Sequence, residues 1–300
     1  MAKKYNTLYV IGYANAAGLL DAKNFNRYTF RTCLNSKMFG HAVAYFYSKR
    51  PEKKFYLLMQ DYLFGHEMAD AFKEGLKMYK PDAVIVDEVY HPLFMKDFAP
   101  YVTKLKGADA DVLYTGDWLP DSDNLMMTMK SLDVTIPIAN LYADMPETFR
   151  ALGPAGKGMV NVNDYMITCD TPENQAYVKA WHEQWKKWGH PYNAILYRYP
   201  VTVLGSCCDQ LYWFFNVVER AGTVDPEKII ATFEGDKYKG LTGVLEMRAC
   251  DHQAVKPMYA AEFEYPNPWV KDAASYGKPF VVPAKYCTPP LPEGLDRCEK

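Results

Sequence analysis

The segment KFYLLMQ at residues 54–60 is short and almost wholly apolar, which is typical of a buried strand. Residues 65–79 follow it, and there Met68, Phe72 and Leu76 recur at helical spacing. The two segments together predict a buried strand followed by a helix that packs against it.

The same strand–helix unit recurs further along the chain. The runs AVIVDEV at residues 83–89, DVLYT at 111–115 and VTIPIA at 134–139 predict strands, and residues 96–106 and 121–132 predict helices between them. Regular alternation of this kind predicts a parallel sheet, with right-handed crossovers that put helices on both of its faces.

Further elements flank this block on both sides. The sequence predicts short strands or extended chain at residues 7–11 and 27–32, helices at 172–188, 199–221 and 225–233, and a strand at 259–265. The three helices need a sheet to cover, and the two short strands before the block are the candidates for it. This second layer therefore looks short of strands.

Composition excludes several classes of protein. A hydrophobic content of 49% excludes a disordered chain, and a net charge of −2 gives no basic footprint for nucleic acid. A mean hydropathy of −0.29 and the lack of an apolar run of membrane-spanning length predict no direct insertion into a membrane. The 24 Tyr and 6 Trp are many, and such rings suit ligand clefts and interfaces.

Motifs for catalysis and for cofactors are missing from the sequence. It contains no G-x-G-x-x-G after a strand, no G-x-S-x-G and no H-E-x-x-H, and its Cys and His lack the spacing of zinc ligands. We therefore expect no catalytic residue, no cofactor and no metal, and a protein that is not an enzyme. The alternative of an α/β enzyme would need an acid–base or nucleophile–base pair at the same strand ends.

Seven cysteines leave at least one thiol without an intramolecular partner. Cys287 and Cys298 lie in a proline-rich tail with little apolar sequence, and such a tail is often held by a disulfide. We expect Cys250 to pair with either Cys287 or Cys298.

Polar and aromatic residues follow each predicted strand of the sheet. In open α/β sheets, ligands bind outside the carboxyl ends of the strands, so these residues predict a ring-lined cleft that binds a small molecule. The candidates at the four strand ends are Tyr62 and Phe64, Tyr90, Asp117 and Trp118, and Tyr142 and Asp144.

Four segments, in this order and spacing, carry a resemblance to a known family. They are YTFRT at residues 28–32, DYLFGH with ADAFK at 61–73, VERAG at 218–222, and GLTGV followed by PMY at 240–259. The chain resembles the periplasmic solute-binding proteins of branched-chain amino acid ABC transporters, which have the type I periplasmic-binding-protein fold.

The resemblance implies an α/β protein of two lobes, with parallel sheets flanked by helices. Lobe 1 would comprise residues 1–33 and 166–248, and lobe 2 would comprise residues 34–165 and 249–300. Members of the family carry a signal peptide and further strand–helix units ahead of the position that matches Tyr5. We therefore expect lobe 1 to be incomplete at the N-terminus, and this chain shows no signal peptide of its own.

The resemblance also implies ligand-binding residues. One segment matches the lobe-1 loop that holds an amino-acid carboxylate, namely Tyr13, Ala14, Asn15, Ala16 and Ala17. Phe64 and Trp118 fall where the family places rings over the ligand, and Tyr142 falls near the acidic residue that pairs with an α-ammonium. The loop has no Ser or Thr and Tyr142 is not acidic, although Asp117 or Asp144 could substitute. These departures favour a flat aromatic or small neutral ligand.

The function implied is that of a periplasmic substrate-binding component of an ABC transporter. It would capture a branched-chain or aromatic amino acid, an aromatic carboxylate or an amide-like compound, and deliver it to a membrane permease. The alternative is a cytoplasmic ligand-sensing regulator of the same fold. Disulfides would separate the two, because they form in the periplasm and rarely in the cytosol.

Overall fold

The strand predicted at residues 54–60 lies inside the largest sheet of the protein. The structure is a computed structural model that describes residues 1–192, 194–267 and 275–298. Its helices are α1 Ala2–Tyr5, α2 Ser36–Tyr47, α3 Leu63–Tyr79, α4 Ala99–Lys106, α5 Asp121–Ser131, α6 Pro146–Leu152, α7 Pro172–Trp185, α8 Thr202–Ala221, α9 Pro226–Phe233 and α10 Ala284–Cys287. Its strands are β1 Tyr9–Ile11, β2 Thr29–Arg31, β3 Lys54–Gln60, β4 Val84–His91, β5 Val112–Tyr114, β6 Ile138–Asn140, β7 Val160–Asn163, β8 Lys237–Lys239, β9 Val244–Met247, β10 Ala254–Val255, β11 Met258–Glu264, β12 Ser275–Tyr276 and β13 Phe280–Val282.

The largest sheet has the strand order β12-β11-β7-β6-β5-β3-β4, and β13 also pairs with β11. Strands β4, β3, β5, β6 and β7 run parallel to one another, which confirms the predicted parallel block. Strand β11 joins β7 antiparallel and extends the sheet with β12 and β13.

Both faces of this sheet are covered, which explains why β3 is apolar along nearly its whole length. Phe55, Leu57 and Met59 point into a core shared with α2 and α3. Tyr56 and Leu58 point to the opposite face, into a core shared with α4 and α5. The period of two along the strand therefore sends alternate apolar side chains into two separate cores.

A second group of elements is built on two smaller sheets. Strand β1 pairs with β2 in parallel. Strands β8, β9 and β10 form an antiparallel sheet that the sequence analysis did not predict. Helices α8 and α9 pack on these strands around Phe30, Trp213 and Phe233, which are fully buried. We call this group, with α7, lobe 1, and the largest sheet with its helices lobe 2.

The chain passes between the two lobes at residues 32–35, 164–171 and 256–257. The resemblance places the last passage at residues 248–249. Strand β10 pairs with β9 in lobe 1, so in the structure the chain leaves lobe 1 after Val255. Of the predicted second part of lobe 2, residues 268–274 and 299–300 lie outside the described residues.

Helix α2 is the main element that the sequence pattern did not reveal. It begins after Asn35, whose side chain accepts a hydrogen bond from the N–H of Met38 over 2.9 Å. Ten of its twelve residues are buried, so few polar residues mark an exposed face in its sequence. Helices α2 and α3 approach closely because Gly40 lies against Ala71 and Gly75 lies against Ala44.

Several predicted boundaries differ from the observed ones by one to four residues, and two of the differences lie next to a proline. The strand predicted at residues 134–139 is β6 Ile138–Asn140, which starts directly after Pro137 because proline has no N–H for the ladder. The helix predicted at residues 199–221 starts at Thr202, two residues after Pro200. Its predicted end is confirmed, since Gly222 caps α8 with a positive φ of 63°.

Candidate functional site

The site lies where three neighbouring parallel strands of lobe 2 end. Strands β3, β5 and β6 have their carboxyl ends at the same edge, and the turns after them carry Tyr62, Trp118 and Tyr142. Across from these turns lies the lobe-1 loop that follows β1, at residues 13–16. Three of the four strand ends named in the sequence analysis therefore contribute residues to this cleft, and the end of β4 does not.

Together these segments enclose a cavity of about 470 Å³, with a predominantly apolar wall. The residues that line it are Tyr13, Ala14, Asn15, Ala16, Leu19, Tyr62, Phe64, Trp118, Leu119, Tyr142, Asp144, Met145 and Val203.

Aromatic rings form a connected set along one wall of the cavity. The ring of Phe64 lies 5.9 Å from that of Tyr62 and 6.3 Å from that of Tyr142, between centroids. Trp118 donates its indole N–H to the hydroxyl of Tyr62 over 2.9 Å. Tyr13 reaches from lobe 1 and meets Tyr142 edge to face, at 5.9 Å. The wall thus offers both flat apolar surface and phenolic hydroxyls.

Asn15 is the polar residue of the lobe-1 loop. Its main-chain oxygen accepts from the N–H of Ser36 over 2.8 Å, which ties the loop to the start of α2. Its side-chain Nδ2 donates to the hydroxyl of Tyr142 over 2.8 Å, and so connects the two lobes. Its Oδ1 is buried and has no hydrogen-bond partner. A buried acceptor without a partner is unfavourable, so a ligand donor would stabilise this position.

Asp144 supplies a carboxyl group to the same cavity. Its Oδ2 accepts from the backbone N–H of Thr202, at the start of α8, over 2.6 Å. Burial raises the pKa of Asp144 to about 6, although the hydrogen bonds from Thr202 oppose the shift. Burial, together with the nearby Tyr142 and Asp144, also raises the pKa of the Tyr13 hydroxyl, which keeps that phenol neutral.

Three residues that the sequence analysis included lie outside the cavity lining. The N–H of Ala17 points to Glu67, donating to Oε2 over 2.6 Å. Tyr90 lies on β4, the edge strand beyond β3, where its ring stacks on His66 at 4.1 Å and its hydroxyl donates to Glu88.

Asp117 is the third of these residues. Its side chain is fully buried, and its Oδ2 lies 2.9 Å from Nε2 of His91. It turns below the strand ends toward β4, while the next residue, Trp118, faces the cavity. The pair is thus a structural contact between two strand ends of lobe 2.

Four lining residues were absent from the sequence analysis: Leu19, Leu119, Met145 and Val203. Leu119 and Met145 directly follow Trp118 and Asp144, so the neighbouring strand-end residues were a usable signal for them. Leu19 and Val203 come from lobe 1, and no local pattern indicates that the start of α8 reaches the cavity.

The cysteines are distributed between one disulfide and five thiols. Cys250 and Cys298 form the disulfide, while Cys287, the other expected partner, is a buried free thiol. The described residues contain no group of three or more His, Cys, Asp or Glu that could hold a metal ion. Among the helices that the structure describes, none combines the length and the apolarity needed to cross a membrane.

Comparison with known families gives an extensive match. A family described as periplasmic binding protein matches residues 1–268 of the chain. A curated relative, Leu/Ile/Val-binding protein homolog 4 of Brucella melitensis, is 27% identical over 226 residues. That match covers 74% of this chain and 51% of the relative, so the chain spans about half the length of the curated protein.

Two solved structures have the same fold. The closed conformation of the leucine-, isoleucine-, valine-, threonine- and alanine-binding protein of Brucella ovis has a TM-score of 0.83 and 23% identity, covering 97% of this chain and 75% of that one. A solute binding protein of an ABC transporter from Rhodopseudomonas palustris, in complex with 3,4-dihydroxybenzoic acid, has a TM-score of 0.79 and 19% identity, covering 94% of this chain and 74% of that one.

Proposed function

Because the chain belongs to the periplasmic binding protein family, we propose that it holds one small solute in the cleft between its two lobes and has no catalytic role. The observation that carries the proposal is the cavity of about 470 Å³ whose wall joins rings of lobe 2 to the lobe-1 loop. A concave and mostly apolar site with a few convergent polar groups is typical of small-molecule recognition.

The ligand contacts we propose come from both lobes. Phe64, Trp118 and Tyr142 would pack on a flat solute, while Asn15 and Asp144 would bind its polar groups. All five line the same cavity, and Asn15 with Tyr142 already forms a hydrogen bond between the lobes. A solute that contacts both sides would favour the closed arrangement and shift the population toward it.

We propose aromatic acids, aromatic amides and amino acids as the solutes to test. The rings along the wall support an aromatic solute. The relatives support the same range, since one structure holds 3,4-dihydroxybenzoic acid and the Brucella ovis protein is named for amino acids.

We further propose that the protein works in the periplasm and passes its solute to the permease of an ABC transporter. Family membership supports this role. The disulfide between Cys250 and Cys298 supports an oxidising compartment over the alternative of a cytoplasmic sensor.

Thermal unfolding against a panel of solutes tests the proposal. Branched-chain and aromatic amino acids, benzoates, benzamides and urea would each be added to the purified chain. A solute at a hundred times its Kd should add about 2.7 kcal/mol of stability and raise the Tm. Replacing Trp118 by Ala should abolish the rise. A cooperative transition that no member of the panel moves would contradict the proposal.

A further inference from the structure

Asn15 lines the cavity and carries a buried acceptor that no group in the described structure satisfies. Asn15 is 6% exposed, and its Oδ1 has no hydrogen-bond partner. One of the two N–H groups on its Nδ2 donates to the hydroxyl of Tyr142. A ligand N–H that reaches Oδ1 would satisfy this acceptor.

A carboxylate also lines the cavity. Asp144 is 7% exposed, and the backbone N–H of Thr202 donates to its Oδ2. An anionic group of a ligand near it would meet a like charge in a poorly solvated space. Asp144 therefore also favours a ligand group that donates a hydrogen bond over one that carries a negative charge.

No basic side chain among the described lining residues balances the negative charge of Asp144. The lining residues in the described part of the chain include no Lys, Arg or His. Arg31 lies beneath the loop, but it is 1% exposed and its guanidinium donates to the main-chain oxygens of Ala16 and Ala17 and to Gln253. Three of its five N–H donors are thus held by the protein, and Arg31 is not among the lining residues.

Three phenols line the cavity, namely Tyr13, Tyr62 and Tyr142, and each carries a hydroxyl that can donate. The hydroxyl of Tyr142 accepts from Asn15, and the hydroxyl of Tyr62 accepts from Trp118. A phenol that accepts one hydrogen bond still carries its own proton for another acceptor. Each hydroxyl can therefore donate to a carbonyl oxygen of a ligand that lies along the rings.

We infer that the cleft selects an uncharged aromatic carboxamide over the aromatic carboxylate of the same shape. The inference rests on the proposed function and narrows its solute class. The carbonyl oxygen of the amide accepts from a phenol, and its NH₂ group donates to Asn15 Oδ1 or to Asp144. The carboxylate has the same size but no donor, and it brings a second negative charge beside Asp144 without a cation.

Calorimetric titration of the purified protein with benzamide and with benzoate at pH 8 tests the inference. The two probes have nearly the same shape and differ in charge and in donors. We expect benzamide to bind at least tenfold more tightly than benzoate. Equal binding, or tighter binding of benzoate, overturns the inference.

The Asp144→Asn variant separates charge from shape, because its side chain can still accept from Thr202 N–H. We expect it to narrow the ratio of the two affinities, since benzoate no longer meets a like charge. An unchanged ratio overturns the role given to Asp144. The comparison in the wild-type protein stands whether or not the variant folds.

The same titration distinguishes this inference from the proposed function. If neither probe binds while another member of the solute panel does, the amide preference is overturned and the binding function stands. If no member of the panel binds, both are overturned.

Discussion

Asp144 Oδ2 lies 2.6 Å from the backbone nitrogen of Thr202, so the turn after β6 in lobe 2 is joined to the first residue of α8 in lobe 1. A carboxylate at the start of a helix is favoured by the unpaired N–H groups there. Burial of Asp144 nonetheless raises its pKa from 3.8 to about 6. The contact thus holds the lobes together through a group that titrates in a mildly acidic range.

The first prediction concerns the pH dependence of stability. A carboxyl whose pKa is higher in the folded state binds more protons there, so its contribution to stability falls as pH rises from about 4 to 6. A shift of about two units corresponds to at most about 3 kcal/mol. The Asp144→Asn variant lacks this group, so its stability relative to the wild type should rise over that range and stay level above it.

Urea unfolding of both proteins between pH 4 and 8 measures this difference. Taking the difference cancels the other titrating groups, since the two chains share them. A gap between the two stabilities that does not change with pH would contradict the raised pKa.

The second prediction concerns the hydroxyl of Tyr142. Replacing Tyr142 by Phe keeps the ring beside Phe64 but removes the oxygen that accepts from Asn15 Nδ2. We expect an aromatic ligand to bind about tenfold more weakly, which corresponds to one hydrogen bond of about 1.4 kcal/mol. Titration calorimetry with the solute identified from the panel measures this change in Kd.

Tyr90→Phe is the matched control for this variant. Tyr90 lies on β4 outside the cavity and donates its hydroxyl to Glu88 over 2.7 Å. Loss of that hydroxyl should leave ligand affinity unchanged. If both variants weakened ligand binding equally, the loss of affinity could not be assigned to the missing hydroxyl in the cavity.

Much of lobe 2 could be predicted because its strands are short apolar runs separated by amphipathic helices. Strand β3 and helix α3 lie where the sequence pattern puts them. Helix α2 could not be found in this way, because a helix buried on nearly all sides has few polar residues to mark an exposed face. Strands β8 and β10 have three and two residues, which is too short for a recognisable alternation.

The cavity was predicted only in part. The strand-end rule found Tyr62, Phe64, Trp118 and Tyr142, because the ends of parallel strands meet at one edge. It could not tell which of two adjacent side chains faces the cavity, and so it included Asp117 beside Trp118. Asp117 points away from the cavity because its carboxylate contacts His91, whose Nε2 lies 2.9 Å from it.

The third prediction tests the close approach of α2 and α3. A Cβ added at Gly40 would lie 2.6 Å from the backbone carbon of Ala71, which cannot move aside without shifting the helix. Gly40→Ala should therefore lower the free energy of unfolding by about 1–3 kcal/mol. Gly107→Ala is the control, since its added Cβ meets nothing closer than 3.6 Å. Chemical denaturation of both variants measures their free energies of unfolding. Equal values for the two variants would contradict the tight packing of α2 against α3.

The fourth prediction concerns the disulfide between Cys250 and Cys298, which are 48 residues apart in the sequence. A cross-link over a loop of this length should add about 4 kcal/mol, because it restricts the unfolded chain. The Cys250→Ser, Cys298→Ser double variant should unfold at a lower temperature than the oxidised wild type, and dithiothreitol should destabilise only the wild type. A count of free thiols tests whether the disulfide forms. The remaining thiols are Cys33, Cys169, Cys207, Cys208 and Cys287. Thiol titration in guanidinium without reductant should accordingly find five free thiols per wild-type chain and five in the double variant. Seven free thiols in the wild type would show that the disulfide does not form.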